Sequence, residues 1–189
     1  MNGINTFKNL KPNTLVQDLV VVIDDKIVHF RNSHAFANIL NKKQNETQYT
    51  TAFCVFMNLE CKAGSINFIF TPENAQKGSS KVDIGVYFGS ILFFNIEAKI
   101  LPTPYVSKKS SRKEYEYVYG KGGGIQRFKS NHGVDNEDNY LPENGIIAYI
   151  KESDFEFWLR KINQWILDAS WESTTITLLK TPICDIPLK

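Results

Sequence analysis

Cysteine is scarce in this chain, and histidine never groups. Cys54, Cys61 and Cys184 are the three cysteines of 189 residues, with no CxxC pair and no histidine at ligand spacing. That pattern excludes a zinc-finger site and a disulfide framework, and reads as buried thiols in a reducing compartment. His29, His34 and His132 are scattered; each reads as structural or exposed, and no histidine-based nucleophile relay is visible. No apolar run reaches the roughly 18 residues of a membrane helix, so no membrane partner is expected. The opening MNGINTFKNLKPN has neither a basic region followed by an apolar core nor a small-residue cleavage site, and a cytoplasmic location is the expectation. Internal repeats and long low-complexity tracts are also missing.

What is present suits a soluble α/β domain. Apolar residues make up 42% and charged residues 22% of the chain, within the range of globular proteins. At this length a single domain with a sizeable core is expected. The net charge of +2 hides an uneven distribution. Residues 99–129 hold eight basic side chains against Glu114 and Glu116, a local charge of +6, and the rest of the chain sums to −4. A concentration of this kind is what a phosphate backbone attracts.

Periodicity and punctuation predict the elements. Leu15, Leu19, Ile23 and Ile27 recur every four residues and predict a helix over 13–30, and Ser33 is an N-cap candidate for the SHAFANILN that follows. Phe53, Phe56, Met57 and Leu59 or Glu60 fit a second helix in TTAFCVFMNLEC. SINFIFT reads as a strand ended by Pro72, and PENAQKGSS as a loop. KVDIGVYF and ILFFNIEAKIL are apolar strands joined near Gly89-Ser90. After a Pro- and Ser-rich loop, a short helix is expected from about Gly123 to Ser130. GIIAYIK reads as a buried strand. Ser153 to Glu156 reads as a capping box before the apolar stripe from Phe155 to Ala169, and STTITLLK as a last strand. Three strands in a meander, followed by strands reached through helices, predict a sheet with helices on both faces.

The chemistry lies on the two central strands. Successive side chains of a strand alternate faces, so Asn95, Glu97 and Lys99 share one face and Ile96, Ala98 and Ile100 the other. Charges on an apolar strand must be solvated, paired or used, because stranding them in a core is costly. Carboxylates at Asp83 and Glu97 suit a hard divalent ion, and the Lys99 ammonium lies about 7 Å further along. Their sharing a site depends on register. A plain two-residue hairpin at Gly89-Ser90 would pair Asp83 with Ile96 and turn Glu97 away. A three-residue loop or a bulge would shift the pairing by one, and that shift is the expectation.

Asp83, then Glu97-x-Lys99 on the next strand, then a helix bearing Gln126, resembles the PD-(D/E)xK nuclease superfamily over roughly residues 45–150. The resemblance implies an α/β, restriction-endonuclease-like three-layer core, with a mixed central sheet flanked by helices. Residues 1–44 would be an added N-terminal helical element and 45–189 the core of a single domain. It further implies a Mg-dependent deoxyribonuclease, an endonuclease, for which Mn would substitute. Asp83 and Glu97 would ligate the metal, joined by Glu46 or, second, Glu60; Lys99 would position water, with Gln126 beside it. Val82 stands where the family name has proline, and Ser130 where the RecB-like branch has tyrosine.

The basic side chains Lys108, Lys109, Arg112, Lys113, Lys121, Arg127 and Lys129 are the expected nucleic-acid contacts, with DNA as the partner. A homodimer is compatible with cutting both strands of a duplex. The glycines of GKGGGIQRF fit neither GxxxxGK[ST] nor GxGxxG, although amides at the start of that helix would suit a DNA phosphate. Tyr115, Tyr117 and Tyr119 read either as base-stacking rings or as a half-buried strand edge. The alternatives in function are a non-catalytic module that kept the nuclease fold, or an interaction protein with no nucleic-acid role.

Overall fold

The computed structural model describes residues 12–40, 45–76, 80–103, 114–120, 123–129 and 132–169. Helices α1 (Pro12–Arg31), α2 (His34–Leu40) and α3 (Glu46–Ala63) come first, then strands β1 (Phe68–Ala75), β2 (Lys81–Phe88) and β3 (Ile91–Leu101). A 3-10 turn at Glu114–Tyr117 and the short helix α4 (Gly124–Phe128) lead to β4 (Gly145–Ile150) and α5 (Phe155–Asp168). The strand expected at STTITLLK lies outside the described residues.

The sheet runs β1-β2-β3-β4. The first three strands form an antiparallel meander, and β4 lies parallel to β3 after a crossover. A mixed open sheet flanked by helices is therefore the architecture, an α/β class. One face packs Phe68, Phe70, Ile84, Val86, Phe94, Ile96, Ala98 and Ile100 against Leu19, Ile23, Ile27, Phe53 and Met57 of the first three helices. A smaller apolar cluster joins Leu101, Tyr117, Val118, Trp158 and Ile162, with Ile146, Ala148 and Ile150 of β4 beside them. Cys54 and Cys61 are buried free thiols, and burial pushes Cys54 up to about 12. Among the described residues no helix is long and apolar enough to cross a membrane.

Several local expectations need correction. Pro72 does not end its strand, because β1 is an edge strand and an edge tolerates a missing amide donor; PENA continues the ladder and only the residues after it leave the sheet. Helix α5 is capped by Asp154, whose Oδ1 accepts from Phe157 N at 2.6 Å. Ser153, at φ 65°, lies outside the helix, so the cap falls one residue later than the expected box and, with Phe157 at the third helical position, is a single cap and not a box. A capping box does occur at α3, where Asn45 and Gln48 exchange backbone and side-chain bonds at 3.1 Å. Ser33 caps as expected, accepting from Phe36 N at 3.2 Å. Tyr115, Tyr117 and Tyr119 belong to the 3-10 turn and its exit, not to a strand edge: Tyr117 is buried, and the other two rings stack on each other at 5.1 Å.

The exposed side of β1 is tied to α3 by one side chain. Asn58 donates to Phe70 O at 2.9 Å and accepts from Phe70 N at 2.8 Å, occupying a backbone pair that an edge strand leaves open. Asn58→Ala is expected to lower stability by about 1–3 kcal/mol, the cost of unsatisfied, partly buried groups. Urea denaturation would check it.

Candidate active site

The pairing of β2 with β3 contains the extra residue that a shared site requires. Phe88 pairs with Ile91 and Tyr87 with Leu92, but Val86 pairs with Phe94, and Phe93 is left over. Beyond this bulge Ile84 pairs with Ile96, which sets Asp83 opposite Glu97 on the same face. Phe93 packs its ring 5.5 Å from Phe68 on the helical side, so the bulge is filled by apolar packing.

Past Ile96 the β2 pairing stops, and carboxylates take over its amides. Asp83 Oδ2 accepts from Ala98 N at 2.7 Å, and Glu46 Oε2 accepts from Ile100 N at 3.2 Å. Glu46 arrives at the first turn of α3, set there by the Asn45 cap. Each acid is therefore anchored through one oxygen to the strand that bears Glu97 and Lys99. Lys99 Nζ then lies 3.3 Å from Glu46 Oε1, 3.4 Å from Glu97 Oε2 and 3.7 Å from Asp83 Oδ2. It also donates to Ala98 O at 2.6 Å.

Glu97 is fully buried, with 0% of its side chain exposed. Its Oε2 accepts from Arg127 Nη1 at 2.8 Å, and its Oε1 lies 3.1 Å from His132 Nδ1. Burial pushes this carboxyl upward, but His132, Lys99 and Arg127 together outweigh burial and hold it below the usual range. Asp83 goes the other way. Burial first, and then the neighbouring Glu97 charge, push it up to about 7 against the pull of Lys99 and the Ala98 amide. Burial alone would lower Lys99, yet Glu46, Asp83 and Glu97 keep its ammonium above the ordinary value.

Of the acids and base read from the sequence, Asp83, Glu97, Lys99 and Glu46 are brought together. Glu60 is not: it sits fourteen residues along α3, about 21 Å from Glu46, and pairs with Lys26 at 3.7 Å. Gln126 is exposed, and its Oε1 accepts from Gly120 N at 2.8 Å. The next residue, Arg127, reaches the acids instead, and also donates to Lys81 O at 3.0 Å. Arg127 was expected on a phosphate backbone but is turned onto Glu97. Lys129 is exposed beyond the end of α4, whereas Lys108, Lys109, Arg112, Lys113 and Lys121 lie outside the described residues.

Close approach explains the glycines ahead of α4. A Cβ at Gly123 would fall 2.6 Å from the Tyr119 backbone, and one at Gly124 would fall 2.9 Å from Tyr117 O. The amides of Gly123 and Gln126 donate to Gly120 O and Val118 O, so these two are taken by the protein and are not offered to a phosphate. The glycines let α4 press against the turn and carry Arg127 to Glu97.

Sequence reasoning missed His132 as a neighbour of the acids. It lies 35 residues from Glu97 and no spacing rule links them; a buried histidine is visible only once the loop is folded back. Among the described residues no three His, Cys, Asp or Glu side chains stand, as placed, where they could together hold a metal ion. The three carboxylates meet around the Lys99 ammonium. With Arg127 as second cation, they still leave one negative charge in excess once Asp83 is ionised. Hard carboxylate oxygens with surplus negative charge are a donor set that fits a divalent cation such as Mg. Comparison with protein-family models, with curated proteins and with solved structures finds no match for this chain.

Proposed function

We propose that the chain is a metal-dependent nuclease acting on DNA, built on a restriction-endonuclease-like core. The observation that supports this reading best is the convergence of Glu46 from α3, Asp83 from β2, and Glu97 with Lys99 from β3 at one place on the sheet. A helix and the two strands of a hairpin deliver three carboxylates and one ammonium, and the bulge at Phe93 brings two of the acids onto the same face.

Asp83, Glu97 and Glu46 would hold Mg, with Mn as a substitute. The bound ion would lower the pKa of a water and offset charge on the scissile phosphate. Lys99, kept protonated by three acids, supplies a positive charge where negative charge develops on the phosphate. Arg127 and His132 keep Glu97 ionised and oriented. The products carried over from the resemblance are a 5′-phosphate and a 3′-hydroxyl. The basic stretch after β3 would hold the DNA backbone through phosphate contacts, which give affinity without sequence information. Restriction, phage defence and repair are the settings that such chemistry suits.

A second reading draws on the same cluster. Arg127, His132 and Lys99 already occupy both oxygens of Glu97, as they would in a nucleic-acid-binding module that kept the fold without cleavage.

Supercoiled plasmid and single-stranded DNA, incubated with Mg or Mn, separate the two readings. Cleavage that Glu97→Gln and Lys99→Met each reduce at least about a hundredfold supports the nuclease. Salt-sensitive DNA binding by a folded protein that cuts neither substrate would sink it in favour of the binding module. Cutting that survives both substitutions would place the activity elsewhere.

A further inference from the structure

Glu97, His132 and Arg127 close a ring of side chains. Glu97 Oε1 faces His132 Nδ1 at 3.1 Å, Glu97 Oε2 accepts from Arg127 Nη1 at 2.8 Å, and Arg127 Nε stands 3.3 Å from His132 Nε2. A guanidinium can only donate. His132 Nε2 must therefore be the acceptor, which leaves the imidazole proton on Nδ1 and directs it at Glu97. The ring is closed only by a neutral His132 in that one tautomer.

The loop bearing His132 is itself clamped in the interior. Gln76 Oε1 accepts from Gly133 N at 2.9 Å and Val134 N at 3.0 Å, and its Nε2 donates to Val134 O at 3.3 Å. Asn95 Nδ2 donates to the same carbonyl at 2.9 Å. His132 N donates to Arg127 O at 3.0 Å. Gln76, Asn95 and His132 are all buried. A carboxylate that needed only counter-ions has them in Lys99 and Arg127. The additional donor, with two buried amide side chains holding its loop, supplies direction: it fixes the rotation of the Glu97 carboxylate.

We infer that His132 is a positioning residue for Glu97, acting through its Nδ1–H to hold the carboxylate in the orientation that serves a divalent cation shared with Asp83. This rests on the metal reading of the site given above. Outer hydrogen-bond partners of metal ligands are worth about 10–100-fold in metal affinity.

The test compares Mn binding to the full chain, by calorimetry and by electron paramagnetic resonance, in the wild type, His132→Asn and His132→Phe. Asparagine can present an N–H where Nδ1 stands; phenylalanine keeps the ring and removes the donor. The expected result is a 10–100-fold loss of Mn affinity in His132→Phe and restoration to within a few-fold of wild type in His132→Asn. Nitrogen-15 spectra of the metal-free wild type supply a readout without substitution, and should show Nδ1 protonated and Nε2 bare. Wild-type affinity in a folded His132→Phe, or an Nε2-protonated imidazole, would overturn the inference. A wild type that takes up no Mn would overturn the metal reading and, with it, the role toward a cation; the nitrogen-15 spectra would then still report whether the ring exists.

Discussion

Glu97→Ala is expected to destabilise the fold by about 1–3 kcal/mol and to abolish any metal-dependent cleavage. The cost follows from what the substitution leaves behind. Lys99 and Arg127 would lose their shared carboxylate, and Lys99 is only 12% exposed. Lys99 would keep Glu46 and Asp83 and Arg127 its bond to Lys81 O, so the penalty is that of lost charge-assisted hydrogen bonds and not of a stranded charge. The His132 Nδ1–H would also lose its acceptor inside the protein. Glu97→Gln is the informative companion, since it keeps the volume and one acceptor oxygen while removing the charge. Its stability should fall by less, with activity falling as far. Denaturant midpoints beside plasmid cleavage would check both; equal stability of wild type and Glu97→Ala would mean that the cluster is not the buried network described above.

Metal-free protein should lose stability between about pH 4 and pH 7, a range where most proteins are near their optimum. Asp83 is the cause. Its carboxyl titrates near the ordinary 3.8 when unfolded and is pushed up to about 7 when folded. Between those limits the folded state keeps a proton that the unfolded state has released. The associated stability is complete below about pH 4, declines as pH rises, and is gone above about 7. This one group accounts for at most about 4 kcal/mol. Glu97 has the opposite sign in a different window, because its folded pKa is depressed. Its contribution is present above the usual carboxylate range and lost only as pH falls below it. Asp83→Asn should flatten the slope from pH 4 to 7 while preserving the bond from Ala98 N. Urea midpoints measured across that range would show it, and an unchanged slope would remove Asp83 as the source. On the metal reading, Mg or Mn competes with this proton, so its binding should tighten as pH rises through 7.

How much of this was legible in the sequence depended on whether a local rule applied. The helices and the two central strands follow from apolar periodicity, which Leu19, Ile23 and Ile27 or Ile96, Ala98 and Ile100 express directly. The bulge was reached by a different route: Asp83 and Glu97 could share a face only if one residue was left over, and Phe93 is that residue. Pro72 misled because a proline stops a central strand but not an edge, and edge position is a property of the assembled sheet. Gln126 is bonded to Gly120 N while Arg127 reaches Glu97, for a related reason. A five-residue helix turns each neighbour by about 100°, so a small rotation decides whether position 126 or 127 faces the acids, and contacts at Gly123 and Gly124 set that rotation. His132 could not be anticipated, since its approach to Glu97 depends on Gln76, just past β1, and Asn95 on β3 clamping its loop.

The leftover residue at Phe93 makes this hairpin a counter of parity. Between the Gly89-Ser90 turn and Glu97 the chain holds one residue more than a regular ladder would need, and the bulge absorbs it. The identity of the turn residues therefore matters less to the acids than whether the count between turn and site stays matched. An insertion or deletion of one residue after the bulge would exchange the two faces of β3. Glu97 and Lys99 would then turn toward Phe53 and Met57, and Ala98 and Ile100 would take their place beside Asp83. A change of two, by contrast, would keep the acids on their own side and only slide them along the strand by about 7 Å. Length drift in this hairpin thus preserves the faces in even steps and exchanges them in odd ones.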